Sequence, residues 1–193
     1  MKTSLGAKTL LYPTPVMVVG TYDAEGRANV MTAAWGGVAC SRPPCVCVSL
    51  RSATASHGNI LRREAFTVSL PSEDYAPHAD YFGMVSGRDH DKLEELGLTA
   101  VASELVDAPY IAEFPLVLEC ALVGVHELGL HTQFIGEVRD AKAEPAVIGA
   151  DGRIDIEALR PIVFAVDSGT YHALGAPVGK AYSIGKNLGG END

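Results

Sequence analysis

Short runs of apolar and β-branched residues, separated by turn residues, recur along most of this chain. Apolar residues 16–19 precede the turn sequence DAEG and residues 28–35 follow it, which predicts a β-hairpin. A glycine-rich bend and the pair Pro43 and Pro44 come next, and the run CVCVSL after them predicts a third strand. AFTVSL, closed by Pro71, and PIVFAV predict further strands. Between those two, FPLVLECALVGVHELGLHTQFIGEVRDA predicts a long hairpin that turns at ELG.

Three polar or amphipathic segments between the strands predict short helices. TASHGNILRRE can begin a helix with Thr54 or Ser56 as its N-cap. DYAPHADYFGMVSG is predicted to be helical in part and to end near its glycines. DHDKLEELG predicts a short helix that starts at Asp89 or Asp91 and ends with Gly97 as C-cap. Further on, ADGR predicts a turn and DIEAL a short helical turn.

This order of elements favours a mainly β fold. The pattern predicts at least seven strands with two or three short helices among them, and strand–helix alternation is too sparse for a doubly wound parallel sheet. An antiparallel barrel with helical insertions fits better. No internal repeat or linker divides the chain, so we expect one domain over residues 1–187 and a disordered tail, ending in GGEND, over residues 188–193.

The composition of the chain indicates which kinds of partner the protein can have. The 193 residues have a positive mean hydropathy of +0.13, and such an apolar excess indicates a subunit interface. The net charge of −9 argues against nucleic acid as a partner. The longest apolar run, residues 115–125, is too short to cross a bilayer and contains Glu119. Pro13 and Pro15 interrupt the N-terminal apolar segment, so we expect no signal peptide and a cytoplasmic protein.

Motifs that carry a known chemistry are mostly absent. No GxGxxG follows a strand, and the GxSxG and Walker A patterns do not occur, so Rossmann, hydrolase and P-loop assignments lack support. The cysteines at positions 40, 45, 47 and 120 form neither zinc-type pairs nor a CxxC. Cys45 and Cys47 would share one face of a strand, and we expect reduced core residues there, with a metal site as the alternative.

The segment SLRSATASHGNILRR has two interpretations of equal weight. It places hydroxyl groups, the Arg51 guanidinium and the free N–H groups of a helix start close together, which suits a phosphate group. The alternative is an ordinary capped helix beside a solvated arginine. In SGRDHDK, a capped helix start is favoured over a phosphate-neutralising role for Lys92.

Two further features are ambiguous from the residues alone. Trp35 lies between Ala34 and Gly36, so a planar ligand could approach the backbone and stack on the indole, although a core tryptophan is favoured. His126 and His131 flank a hairpin turn and could join Glu127 at a metal. Two unrelated polar residues near a turn are favoured, because this spacing matches no helix-borne metal motif.

Taken in order, these segments resemble the flavin reductase-like family with the FMN-binding split-barrel fold, and in particular its flavoredoxin branch. The resemblance covers about residues 10–187 and rests on the order and spacing of several segments rather than on one motif. The matching residues are Asn29, Met31 and Thr32 in NVMTAAW, Pro43 and Pro44 before VCVSLR, and the segments TASHGNI, SGRDHDK, HTQFIGEV and YHALGAPVGKAYSIGK.

The resemblance implies an antiparallel split β-barrel with short helical insertions and with FMN across the barrel mouth. The isoalloxazine ring would meet the backbone and neighbouring side chains of the first hairpin: Asn29, Met31, Thr32, Ala33, Ala34 and Trp35. The ribityl chain would follow the next strand: Ser49, Leu50 and Arg51. The phosphate would lie at the helix start and beside a later lysine: Ser56, His57 and Lys92.

Three functions are compatible with this resemblance. We favour a homodimeric flavoprotein that transfers electrons between redox partners, because the chain most resembles the flavoredoxin branch. The several residues available to anchor the phosphate indicate that it retains FMN. An NAD(P)H-dependent flavin reductase that supplies reduced FMN is the alternative, and a non-redox ligand-binding split barrel is the third. No catalytic acid, base or nucleophile is required. His131 and Phe134 are expected to border the substrate face or to come from the partner subunit.

Overall fold

The computed structural model describes residues 1–188 of the chain as a seven-stranded antiparallel sheet with smaller sheets and short helices around it. The strands are β1 (Thr14–Pro15), β2 (Met17–Tyr22), β3 (Ala28–Ala33), β4 (Gly36–Ser41), β5 (Pro44–Arg51), β6 (Ala65–Leu70), β7 (Ala100–Ala102), β8 (Pro109–Ile111), β9 (Leu116–Leu128), β10 (His131–Ala143), β11 (Ile162–Ala165) and β12 (Thr170–Ala173). The α-helices are α1 (Ala55–Arg63), α2 (Ala76–Met84), α3 (Lys92–Leu96) and α4 (Ile156–Leu159).

The large sheet has the order β3-β2-β6-β9-β10-β5-β4 and curls around one apolar core. Val19 of β2 belongs to the same buried cluster as Val48 of β5 and Phe134 of β10, although β2 is separated from this adjacent pair of strands by β6 and β9 in the sheet order. Ile60 of α1 closes one end of this cluster. The sheet therefore forms a barrel whose interior is filled by side chains.

The alternation along β5 explains why this strand is inside the barrel. Val46, Val48 and Leu50 are buried in the core, whereas the intervening Cys47 and Ser49 are half-buried on the opposite face. Successive side chains of a strand point to opposite faces, so one β-branched run supplies both a core wall and a polar wall.

A second apolar cluster lies between the barrel and the helices. Val18 and Val30, on β2 and β3, pack with Phe82 of α2 and Leu93 of α3. The smaller sheets are β1-β11-β12 and β7-β8, and Ile162 of β11 joins this second cluster. α2 and α3 therefore pack against the face of the first hairpin that is turned away from the barrel core.

Most predicted elements are confirmed, and so is the mainly β antiparallel barrel. Thr54 is the N-cap of α1 and Asp91 that of α3, while Gly97 ends α3 in the left-handed region with φ of 65°. Ser56 instead lies inside α1. The predicted disordered tail lies, apart from Leu188, outside the described residues.

The structure corrects two expectations about the first hairpin. The predicted glycine-rich bend is a strand, β4, and the strand before it ends at Ala33, so Trp35 lies between two strands. The short strands β1, β7, β8 and β12 were also not predicted.

None of the helices within residues 1–188 is long and apolar enough to cross a bilayer.

The cysteines and the hairpin histidines give no metal site within the described residues, where no three histidine, cysteine or acidic side chains lie close enough to share an ion. Cys45 is buried as expected, but Cys47 is only half-buried. In the β9–β10 ladder, His126 pairs with Gln133 and His131 pairs with Leu128, so the two histidines are not partners.

Candidate functional site

Two adjoining cavities form one groove where β3, β5, the start of α1 and the end of α2 meet. The polar cavity has a volume of about 310 Å³ and is lined by Asn29, Arg51, Ser56, Gly87 and Lys92, among others. The aromatic cavity, of about 510 Å³, is lined by residues that include Trp35, Ser49, His131, Phe164 and Tyr171. Met31, Arg51 and Gly83 line both cavities, which makes the groove continuous. The two volumes suit a ligand of cofactor size.

The start of α1 forms one wall of the polar cavity. Thr54 caps this nine-residue helix by accepting a hydrogen bond from the backbone N–H of His57 at 3.4 Å. Other N–H groups of the first turn have no partner inside the helix and carry its positive dipole end. Arg51, an exposed residue at the end of β5, lies beside them. Together they make this end of the groove electropositive although the whole chain is acidic.

Lys92 provides a buried cation on the opposite wall. Its ammonium group donates to the carbonyls of Val30 at 2.8 Å and Phe82 at 2.9 Å, and the residue is only 4% exposed. Burial lowers the pKa of Lys92 to about 8. Because an ammonium group has three N–H donors, one remains for a ligand in the cavity. An anion there would favour the charged lysine and raise its pKa.

Asn29, which lines the same cavity, has a buried acceptor without a partner among the described residues. Its side-chain amide donates to the Ser56 hydroxyl at 2.9 Å, but its buried oxygen has no hydrogen-bond partner among the described residues. Gly87 lies against this amide, and a Cβ added there would be only 1.7 Å from the oxygen. A buried acceptor without a partner is costly, so a ligand that donates a hydrogen bond here would be stabilised.

The aromatic cavity has a flat wall and a wall of backbone. The Trp35 and His131 rings are stacked at 6.2 Å with an angle of 6° between their planes. The Ser49 backbone N–H donates to the Trp35 carbonyl at 2.7 Å, which ties the segment after β3 to β5. Small side chains at Ala33 and Ala34 leave the neighbouring backbone accessible. A planar ring can therefore lie along this edge.

The facing wall comes from the C-terminal hairpin and α2. Phe164 and Tyr171 contact each other with ring centroids 5.5 Å apart, and the Tyr171 hydroxyl donates to Asp80 at 3.0 Å. Burial, followed by the bond to Asp80, raises the pKa of Tyr171 to about 12, so this phenol stays neutral at physiological pH. The wall therefore combines two aromatic rings with a hydroxyl that is held by the Asp80 carboxylate, which also lines the cavity.

The structure brings the predicted site residues together with one exception. Those that line the groove are Asn29, Met31, Thr32, Ala33, Ala34, Trp35, Ser49, Leu50, Arg51, Ser56 and Lys92. His57 does not line it, because its ring lies 2.9 Å from the Thr132 hydroxyl and edge-on to Phe134. Phe134 is fully buried in the barrel core, so the expectation that it borders a substrate face is wrong, whereas His131 does line the groove.

Arg88 is a cation near the groove that the sequence analysis did not select. Its guanidinium donates to the carbonyls of Ala53 at 2.6 Å and Thr54 at 3.4 Å, which joins the loop after α2 to the start of α1. The sequence could have indicated Arg88, because it lies in the segment SGRDHDK that also contains Lys92. Tyr171 begins the matching segment YHALGAPVGKAYSIGK and Asp80 lies in the predicted helix before SGRDHDK, but the sequence pattern assigned neither residue a role in the site.

This geometry suits a ligand with an anion at one end and a planar ring at the other. The polar cavity offers cations, helix N–H groups and an unpaired acceptor, and the aromatic cavity offers accessible backbone beside an indole. Among residues 1–188, no nucleophile paired with a base lines the groove, and the residues that do line it can bind and position a ligand.

Comparisons with known proteins agree with this description. Residues 9–164 match the family model described as "Flavin reductase like domain". Flavoredoxin of Desulfovibrio vulgaris (Miyazaki F) is 50% identical, with 96% of this chain and 100% of that chain covered and a TM-score of 0.92. Flavoredoxin from Methanosarcina acetivorans is 29% identical, with 97% and 99% covered and a TM-score of 0.91. A relative from Aeropyrum pernix is 31% identical over 80% of this chain, which spans 58% of that protein's length.

Proposed function

Because this chain belongs to the flavin reductase-like family, we propose that its groove holds FMN and that the protein transfers electrons between redox partners. The observation that carries this proposal is the joining of two chemically different cavities in one groove. The electropositive cavity suits the FMN phosphate, and the cavity beside Trp35 suits the isoalloxazine ring. Likeness to two flavoredoxins supports the electron-transfer role over the alternatives.

The charge distribution supports FMN in preference to riboflavin. In a chain of net charge −9, a phosphate needs local cations, and Arg51 and Lys92 line the polar cavity while Arg88 lies at its rim. Free N–H groups at the start of α1 add donors without adding a side chain. The unpaired Asn29 oxygen suits a ribityl hydroxyl, which can donate a hydrogen bond.

The residues of the groove have binding and positioning roles in this proposal. When bound, the isoalloxazine ring supplies the redox chemistry, accepting and releasing electrons or a hydride. Backbone groups near Ala33 and Ala34 would fix the ring, and donors near its pyrimidine part would stabilise negative charge. Trp35 and His131 would exclude water from one side, while Phe164 and Tyr171 would limit what can approach from the other.

The phosphate roles can be tested by comparing FMN with riboflavin. We expect the double variant Arg51→Ala, Lys92→Ala to lose at least about a hundredfold in FMN affinity, because each charge-assisted hydrogen bond contributes about 1.5–3 kcal/mol. Riboflavin affinity should change little, since that ligand has no phosphate. Arg62→Ala removes an exposed charge from the last turn of α1 and serves as the matched control. Equal losses for FMN and riboflavin would contradict the phosphate roles.

An NAD(P)H-dependent flavin reductase is the second candidate, favoured by the name of the matching family model. The purified protein should be yellow under the preferred proposal. Adding NADH or NADPH with and without free FMN then separates the two functions. Rapid steady-state oxidation of the nucleotide would rule out a pure electron carrier, and failure to bind any flavin would rule out both.

We also propose a cytoplasmic homodimer. Val38, on the edge strand β4, is 83% exposed, and Trp35 beside it is 38% exposed, although both are apolar. These two exposed apolar side chains next to the groove suit a second copy of the chain. Light scattering coupled to size-exclusion chromatography tests this, and a monomeric mass at micromolar concentration would contradict it.

A further inference from the structure

Cys40 and Cys45 face each other across the β4–β5 ladder. They are direct register partners, and Arg42 and Pro43 connect their strands. A register shift after Val38 brings Cys40 opposite Cys45. Direct partners in an antiparallel ladder have Cα atoms about 4.5–5.5 Å apart and side chains on one face. That separation lies within the range of about 4.4–6.8 Å that a disulfide requires.

The two thiols differ in access. Cys40 is exposed on the edge strand, and its sulfur lies 3.3 Å from the Arg42 carbonyl, near the end of the hairpin. Cys45 is only 7% exposed. Burial raises the pKa of the Cys45 thiol, and the neighbouring Cys40 and Glu137 act in the same direction. Cys45 is therefore the poorer nucleophile toward a reagent in solution, while Cys40 can be reached directly.

We propose that Cys40 and Cys45 form a reversible dithiol–disulfide site that reacts with low-molecular-weight disulfides such as oxidised glutathione. Cys40 is the attacking thiol and Cys45 the resolving thiol. The site is separate from the flavin groove, because neither cysteine lines either of its cavities. It therefore does not depend on the proposed electron-transfer function.

The chemistry balances in two exchange steps. The Cys40 sulfur attacks one sulfur of the small disulfide, the S–S bond of the reagent breaks, and one small thiol leaves carrying the Cys40 proton. The Cys45 sulfur then attacks the Cys40 sulfur of the mixed disulfide, and the second small thiol leaves with the Cys45 proton. Two protein thiols are oxidised to one disulfide, and one small disulfide is reduced to two thiols.

The remaining cysteines provide the contrast that the experiment needs. Cys47 lies on the same strand as Cys45 but is paired with Gly37, so no thiol faces it across the ladder. Cys120 is fully buried in the barrel core, and burial raises its pKa to about 12, which makes it unreactive. Cys47→Ser is therefore the matched control, because it removes a neighbouring thiol and leaves the proposed pair intact.

The test is incubation of the folded, full-length protein with oxidised glutathione, followed by thiol counting and peptide mass mapping. We expect two of the four thiols to disappear, a peptide linking Cys40 to Cys45, and full recovery on reduction with dithiothreitol. Cys47→Ser should give the same link. Cys45→Ser should retain a glutathione adduct on Cys40, and Cys40→Ser should form neither link nor adduct.

Other results would overturn the proposal. A wild-type protein that keeps all four thiols, or that links Cys45 to Cys47, contradicts the pairing across the ladder. A Cys45→Ser variant that carries no stable adduct at Cys40 contradicts the assignment of the attacking and resolving thiols. Circular dichroism of each variant confirms folding, and the wild-type mapping tests the pairing even if one variant does not fold.

Discussion

The Lys92 ammonium group donates to the Val30 carbonyl at 2.8 Å, so the cation from α3 is fixed to the strand that forms one wall of the groove. A second bond, to the Phe82 carbonyl, fixes it to α2 as well. This buried charge joins three elements and has one donor left for a ligand. The position is favourable for holding an anion and unfavourable for the ligand-free protein, because the charge has lost its hydration.

Lys92 should make the stability of the ligand-free protein depend on pH. Its pKa is lowered from 10.5 to about 8 in the folded state, so the unfolded chain binds more protons between these values. Below pH 8 the buried charge opposes folding in full, and this penalty decreases as the pH rises from about 8 to 10.5. The free energy of unfolding can be measured by urea unfolding for the wild type and for Lys92→Met. The value for the wild type should rise relative to that for Lys92→Met over this pH range. The exposed Lys180→Met variant should show no such shift.

Trp35 should report flavin binding directly. It is the only tryptophan in the chain, and it lines the cavity proposed for the isoalloxazine ring. A ring bound beside the indole should quench its fluorescence by more than about half, because the two π systems would lie in contact. Titration of the flavin-free protein with FMN measures this, with Trp35→Phe as the blank. Saturation with FMN without quenching would show that the ring binds elsewhere.

Gly87→Ala should damage the groove, because a Cβ at this position would overlap the Asn29 oxygen at 1.7 Å. We expect it to cost about 1–3 kcal/mol in FMN binding, through displacement of the Asn29 amide or of the loop before α3. Gly58→Ala, inside α1 and with no heavy atom within 4 Å of the added carbon, is the matched control. It should raise the free energy of unfolding by about 0.5–1 kcal/mol and leave FMN affinity unchanged. If both variants bound FMN with equal affinity, Asn29 would not contribute to the FMN site.

Glu119 should be essential for stability rather than for binding. Its carboxylate is fully buried, lies 3.3 Å from the Lys142 ammonium group and accepts the Leu105 backbone N–H at 3.0 Å. Glu119→Ala leaves the Leu105 N–H without its acceptor and removes the buried partner of Lys142, so it should lower the free energy of unfolding by about 1–3 kcal/mol. Glu104→Ala, at the exposed end of the same cluster, should cost less than about 1 kcal/mol. Similar losses in chemical denaturation would contradict this ranking.

Local signals were sufficient for most elements of the fold. Hydroxyl residues before an amphipathic segment predicted Thr54 or Ser56 as the cap of α1, and Thr54 is the cap; a glycine after another segment predicted the end of α3 at Gly97. These signals act within one or two helical turns, so they can be recognised without the rest of the molecule. The β-branched run CVCVSL is an equally local signal, and it correctly assigned the strand β5 that supplies Ser49.

β4 shows where local signals fail. Residues 36–41 contain two glycines and lack a clear alternation, so the sequence favours a bend. The segment forms a strand because β5 offers it a hydrogen-bonding edge, and because Gly36 can approach the Cys47 carbonyl, where a Cβ would be only 2.2 Å away. The contact belongs to two strands, and the pattern of one strand does not encode it.

The sequence by itself determined the barrel strands other than β4, the ends of the main helices and the segments from which the groove is built. Alternation and capping depend on neighbours a few residues apart, so they are visible in the chain. Only the tertiary structure decided that Lys92 is buried against Val30, that the Asn29 amide faces Gly87, and that Phe134 lies in the core instead of the groove. These positions depend on contacts between residues far apart in the chain, whose register is set by packing of the whole barrel.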